Sequence, residues 1–273
     1  MLQGWFDASG TKGQSIVSLA GFSADVAAWA DFSDEWDVAL KRHHIAVFKM
    51  QVESKRKPIA RRNERIADFW AIIRKYAMLR IESSISIPDF NLAVTKSVNI
   101  LDARLQCISP NVAALAKQLL DDPYFWIIGN LVAGFCAGVW ERGFRDPFDM
   151  FFDTQILEMC PGSPVMYGIT RSIVRPQFQR MLPAQPISRS DEEFRPLQAA
   201  DLLAWITRRQ HEKTIEGWEW LVRELDHIDR IPCRFVNAAT LRPQVSAFYS
   251  YVLGRSPRFN QALIDHWSTF FRR

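Results

Sequence analysis

The stretch Leu2–Gly10, LQGWFDASG, alternates with a period of two: Leu2, Gly4 and Phe6 share one face, Gln3, Trp5 and Asp7 the other. That period is a strand's, not a helix's. The cluster Ser9-Gly10-Thr11-Lys12-Gly13 stops it as a turn. Ser15–Phe22, SIVSLAGF, then resumes as a second apolar strand, so the chain opens on an antiparallel hairpin. Asp7 stands at the far end of the first strand. A carboxylate is a poor strand residue and costly to bury alone. Two explanations compete: Asp7 caps the turn through its own side chain, or it is kept there for chemistry.

Behind the hairpin, Ser23–His43 has helical spacing of Val26, Trp29, Phe32, Trp36 and Leu40, with Ser23 as N-cap. Ile45–Phe48 is a short apolar run with the look of a third strand, ending at Lys49. Gln51–Arg65 carries six basic residues between Lys55 and Arg65 against one acid, and Pro58 makes its first half a loop. It reads either as a solvated surface loop or as a phosphate-contacting patch. Ile66–Met78 predicts an amphipathic helix, Met78–Ile87 a strand, Pro110–Leu120 a helix. Phe148–Phe152, FDMFF, predicts a strand ending in Asp153, and Gln185–Ser188 a short strand. Val165–Arg180 reads as a helix or a strand–helix piece broken by Pro176. The acidic run Ser190–Glu193 leads into a helix from Pro196 or Leu197 to about Lys213. Helices around Gly217–Leu225, Leu241–Leu253 and Asn260–Arg272 finish the chain.

Tyr124–Trp140, YFWIIGNLVAGFCAGVW, needs a membrane check. Its 17 residues hold Asn130 and three glycines, at the short limit of a bilayer span of roughly 20 residues. A central helix packed on all sides by protein explains it better, and no membrane partner is expected. The remaining bulk properties are ordinary: 273 residues, 48% apolar, 23% charged, net charge +4. A mildly basic chain permits a polyanionic partner without requiring one. Cys107, Cys136, Cys160 and Cys233 form no CxxC pair, so neither zinc spacing nor a disulfide framework is present and a cytoplasmic setting is expected. Asp7 interrupts any signal-peptide pattern at once. No repeat, low-complexity tract or linker divides the chain. The layout is α/β: one sheet flanked by helices over residues 1–213, with a helical C-terminal extension, 214–273, packed on the same domain.

Three aspartates share an unusual context. Asp7 and Asp153 end apolar strands, and Asp201 lies within the apolar helix LQAADLLAW, where Leu197, Ala204 and Trp205 share its face. Such a carboxylate needs a cation, a metal or a strong donor to stay charged. Arg208, seven residues on, offers a simple ion pair. Elsewhere the chemistry is thinner. His43-His44 suits a helix C-terminus; His211 reads as a surface or phosphate-facing residue. Ser9 has no His–Asp relay, and no GxGxxG or GxxxxGK[ST] loop is present.

FDASG near the N-terminus resembles the Y/F-x-D-E-S-G opening of the RNase H-like family known as domain of unknown function 3800. RPLQAADLLAWITRR resembles that family's closing motif, Q-x-A-D-x-x-A followed by basic residues; PYFWIIGNLVAG resembles its central helix, and FFDTQ its acid-ended strand. The likeness spans roughly Leu2 to Gln210, and Ala8 stands where the family has Glu. The resemblance implies an RNase H-like mixed β-sheet with a central first strand, on which Asp7, Asp153 and Asp201 converge to bind Mg²⁺ or Mn²⁺. Two such ions about 3.5–4 Å apart neutralise a phosphodiester and activate water, and hard divalent cations take oxygen ligands. Glu53 is either a fourth ligand or a surface glutamate among basic neighbours. The implied activity is metal-dependent nuclease or phosphodiesterase chemistry on DNA or RNA, with Lys49, Lys55, Arg56, Arg61, Arg62 and Arg208 as phosphate contacts. Two rivals stand beside it. One is a non-catalytic nucleic-acid or protein binding module whose site Ala8 has degraded. The other is an interaction protein, such as a homodimer, using the C-terminal aromatics Trp218, Trp220, Phe248, Tyr249, Tyr251, Trp267, Phe270 and Phe271.

Overall fold

The computed structural model describes residues 1–11, 13–95, 121–160, 162–233 and 236. The alternating N-terminal stretch forms β1 (Leu2–Ser9), and β2 (Ile16–Asp25) returns antiparallel to it, with Phe6 opposite Gly21 and Asp7 opposite Ala20. The connecting turn closes on itself: Gln14 N–H donates to the Thr11 carbonyl, and Thr11 N–H donates to Gln14 Oε1 at 3.0 Å. Asp7 takes no part in it. Gly10, at φ +105°, makes the bend that a side chain would strain. β3 (Leu79–Ser86) extends the hairpin antiparallel to β2. On the other side of β1, β4 (Asp149–Asp153) and then β5 (Ile187–Arg189) add in parallel. β6 (Asp229–Ile231), which the sequence pattern did not announce, pairs parallel to β3. The mixed six-stranded sheet therefore runs β5-β4-β1-β2-β3-β6, with β1 and β2 at its centre.

Helices cover both faces. On one lies α4 (Pro123–Glu141), capped by Asp122, whose side chain accepts from Tyr124 N–H at 3.0 Å. Phe6, Leu19, Ile81 and Phe152 point into that core against Phe125, Ile128, Leu131 and Phe135. Among the described residues α4 is the one helix long and apolar enough to cross a membrane, and 67% of its apolar window is buried. Its place is the core of this layer, as expected. Gly138 allows the close approach of β6, because a Cβ there would stand 2.3 Å from Ile231 Cγ2. The same layer holds α5 (Thr154–Met159), α6 (Ser163–Ile173) and α7 (Pro176–Met181), with Pro176 dividing the last two.

The opposite face carries α1 (Val26–Arg42), α3 (Ile59–Tyr76) and α8 (Arg195–His211). Trp5, Ala20, Phe22 and Phe151 meet Trp29, Trp36, Phe69, Leu202 and Leu203 there. α1 begins later than its spacing predicted because β2 runs on to Asp25, whose carboxylate caps it through Ala27 and Ala28. Residues 45–48 are not a strand: they run as loop into α2 (Met50–Glu53), tied down by side chains of α8 rather than by a sheet partner. Of the expected C-terminal extension, α9 (Glu219–Glu224) and a 3₁₀ turn (Leu225–His227) bring Trp218, Leu221 and Leu225 into this second core and lead to β6. The helices expected at 110–120, 241–253 and 260–272 lie outside the described residues, as do the aromatics beyond residue 236.

Candidate functional site

Strand direction decides where the acids meet. β1 and β4 are parallel, with Trp5 beside Phe151 and Phe6 beside Phe152. Trp5 and Phe151 stack at 3.9 Å on the α8 face. Two residues on, along both strands, Asp7 and Asp153 stand on that same face, side by side on strands about 4.8 Å apart. α8 lies across β1 and β2 and supplies Asp201. The loop between β5 and α8 adds Asp191, 2% exposed. Asp7 and Asp153 are equally sequestered, at 7% and 1%, while Asp201 is half-buried.

Each carboxylate is held by backbone donors. Ala8 N–H donates to Asp7 Oδ1 at 2.6 Å, Gln155 N–H to Asp153 Oδ1 at 2.7 Å, and Met50 N–H to Asp201 Oδ2 at 2.5 Å. The second oxygen of Asp153 is buried without a close hydrogen-bond partner among the described residues, although the Asp191 backbone N–H acts on this carboxyl and draws its pKa down. Lys49 enters the group from the loop before α2 and forms an ion pair with Asp191. Its charge acts on Asp7, Asp153 and Asp201 alike.

One lysine does not balance four acids. Burial pushes the Asp7 carboxyl well above the usual carboxylate range, and the charges of Asp201 and Asp153 push it further. Burial lifts Asp201 to about 6, against the pull of the Met50 N–H and Lys49 and with the added push of Asp191 and Asp153. Burial raises Asp153 as well, with Asp191 adding to it. Lys49 is raised too, which for a lysine favours the charged form: burial pulls it down, yet the Asp191 contact and the charges of Asp7 and Asp201 hold it above its ordinary value. All these carboxylates are hard oxygen donors with charge to spare, the donor type that Mg²⁺ and Mn²⁺ take. Among the described residues, however, no three Asp, Glu, His or Cys side chains enclose an ion as they lie. The group fits a divalent cation in chemistry and charge and is not closed around one.

The other sequence candidates fall elsewhere. Glu53 is buried, but Arg56 Nε and Arg65 Nη1 each bond it at 2.8 Å, so its carboxylate is fully engaged outside this group. Lys49 faces the acids rather than the surface. Arg208 leaves Asp201 alone: it donates to Ser9 Oγ at 3.0 Å and Glu212 Oε2 at 2.8 Å. Arg62 donates to the Ser54 carbonyl and lies over the Trp218 ring at 4.3 Å. Lys55, Arg56 and Arg61 remain on the exposed surface. Ala8 packs toward the α4 core, so its side chain lies on the opposite face from Asp7.

Two residues that the sequence pattern left without a role organise the site. Gln198, fully buried, accepts at Oε1 from Trp36 Nε1 (2.8 Å) and Phe48 N–H (3.0 Å), and its amide donates to the Asp191 carbonyl at 2.7 Å. One side chain thus holds the Lys49 loop and the Asp191 loop against α8. Its signal was the Gln of the Q-x-A-D motif. Asp191 had no such signal, since nothing in SDEE separates it from Glu192 and Glu193. No family model matches this chain, and neither curated proteins nor solved structures yield a match.

Proposed function

We propose that this protein is a divalent-metal-dependent nuclease or phosphodiesterase on an RNase H-like core, acting in the cytoplasm. The observation that carries the reading is the meeting of Asp7, Asp153 and Asp201 on one face, undercompensated and with an Asp153 oxygen buried among them that has no close hydrogen-bond partner among the described residues. The strand order supports the fold assignment. A central β1 lies between an antiparallel pair of strands and a parallel pair, as the resemblance implies. Ala8 does not weaken the case, because a glutamate there would leave the strand on the α4 side, away from the aspartates. Among the described residues Cys136 and Cys160 are buried thiols outside any disulfide, in keeping with a reducing compartment.

Asp7, Asp153 and Asp201 are the carboxylates that would hold Mg²⁺ or Mn²⁺. When bound, the metal would supply charge neutralisation at phosphorus and a more acidic water. The chain's own part is to present the oxygens from rigid strands and a helix and to keep the strand-borne acids screened from solvent. Exposed Lys55, Arg56 and Arg61, on the segment following the Lys49 loop, offer the phosphate backbone a sequence-independent attraction. Asp7→Asn and Asp201→Asn are each expected to abolish Mn²⁺-dependent cleavage of nucleic acid without loss of folding stability. If both cut like wild type, the assignment fails. A non-catalytic binding module is favoured by one observation, the lysine already lodged among the acids. Calorimetry separates the two, since such a module binds no Mn²⁺ at millimolar concentration.

A further inference from the structure

We propose that Lys49 is a resident cation that a divalent ion exchanges for, leaving the ammonium free for an anionic substrate. This rests on the metal-site reading above and assigns it a regulated, metal-free state. Four acids from four separate elements surround a region in which Lys49 is the cation acting on Asp7, Asp153 and Asp201 together. The backbone on either side of Lys49 is pinned, Phe48 N–H to Gln198 and Met50 N–H to Asp201. The side chain is not: its ion pair with Asp191 is the contact that holds its end, and 32% of it is exposed. A lysine is a compact point charge on a flexible stem, so it can leave without moving the loop.

The exchange follows from charge and space. The carboxylates do not enclose an ion as they lie, and the ammonium stands on Asp191, which a closing shell would draw inward. Asp153 Oδ2, buried without a close hydrogen-bond partner among the described residues, is an oxygen that a bare divalent cation would satisfy and that Lys49 does not. An ion in the recess and Lys49 in its present place would compete for the same carboxylate charge.

Two measurements on the full-length chain test this. In calorimetric titration with MnCl₂, Lys49→Met is expected to bind Mn²⁺ about tenfold more tightly than wild type, because the competing cation is gone. On the wild-type protein, acylation of lysines read by peptide mass spectrometry is expected to rise about threefold or more at Lys49 when Mn²⁺ is added, with Lys55 unchanged. This second readout decides the matter even if Lys49→Met does not fold. Mn²⁺ binding to wild type with unchanged Lys49 acylation overturns the exchange and leaves the metal site standing. Equal or weaker Mn²⁺ affinity in a folded Lys49→Met does the same. No Mn²⁺ binding to wild type or variant overturns both.

Discussion

Two ends of the α8-facing side of the sheet bury carboxylates in opposite ways. At the β3–β6 edge, Glu82 is bonded by Arg80 and Arg230, and Arg80 reaches on to Asp226 and the Ile228 carbonyl. There acids and guanidinium groups alternate until each is engaged. At the β1–β4 end, four acids share one lysine, which stands on Asp191, and Asp153 Oδ2 is buried with no close hydrogen-bond partner among the described residues. The same sheet and the same helix thus support a closed ion network and an open one. A folding chain gains nothing from the second arrangement, because burying unpaired like charges costs free energy. That contrast, more than the presence of acids, is what singles out the β1–β4 end for the proposed chemistry.

The contrast has consequences of opposite sign. Glu82→Ala strips a carboxylate from Arg80, itself 7% exposed, and is expected to cost about 3–5 kcal/mol in urea unfolding, as breaking a buried pair does. Asp201→Asn should do the reverse. The folded-state pKa of Asp201 is raised, from 3.8 to about 6, so its stabilising contribution is complete below pH 3.8 and lost as pH rises through 6. At pH 7.5 the asparagine variant, which still accepts from Met50 N–H, is expected to be more stable than wild type by on the order of 2 kcal/mol. At pH 3.5 the gain disappears. Thermal unfolding at the two pH values checks it, and a destabilised variant at pH 7.5 would mean that Lys49 compensates the site after all. Lys55→Ala, on the exposed surface, is expected to leave the unfolding midpoint unchanged and to lower nucleic-acid affinity at low salt only, which filter binding at two ionic strengths would show.

Much of this arrangement is written in local periodicity. Period-two alternation located β1, the apolar run after the turn most of β2, the apolar run from Pro123 α4, and the stripe around Asp201 α8. The strand positions of Asp7 and Asp153 were legible too, but only Asp153 ends its strand, since β1 runs past Asp7 to Ser9. What escaped was tertiary. Residues 45–48 are apolar and short, as a strand is, yet they are held by the amide of a glutamine 150 positions away. β6 has three residues, too few to show a period, and exists because β3 offers an unpaired edge. Asp191 resembles any acid preceding a helix. Arg208 was correctly spaced to meet Asp201 and instead found Glu212, its i,i+4 neighbour, and Ser9, a partner that helical geometry does not single out.

Gln198 has a mechanical consequence. The segment bearing Lys49 and the segment bearing Asp191 share one buried carboxamide, which is anchored to α1 through Trp36. The two walls of the acidic recess therefore share one anchor, and replacing Gln198 would loosen both at once rather than one lip at a time.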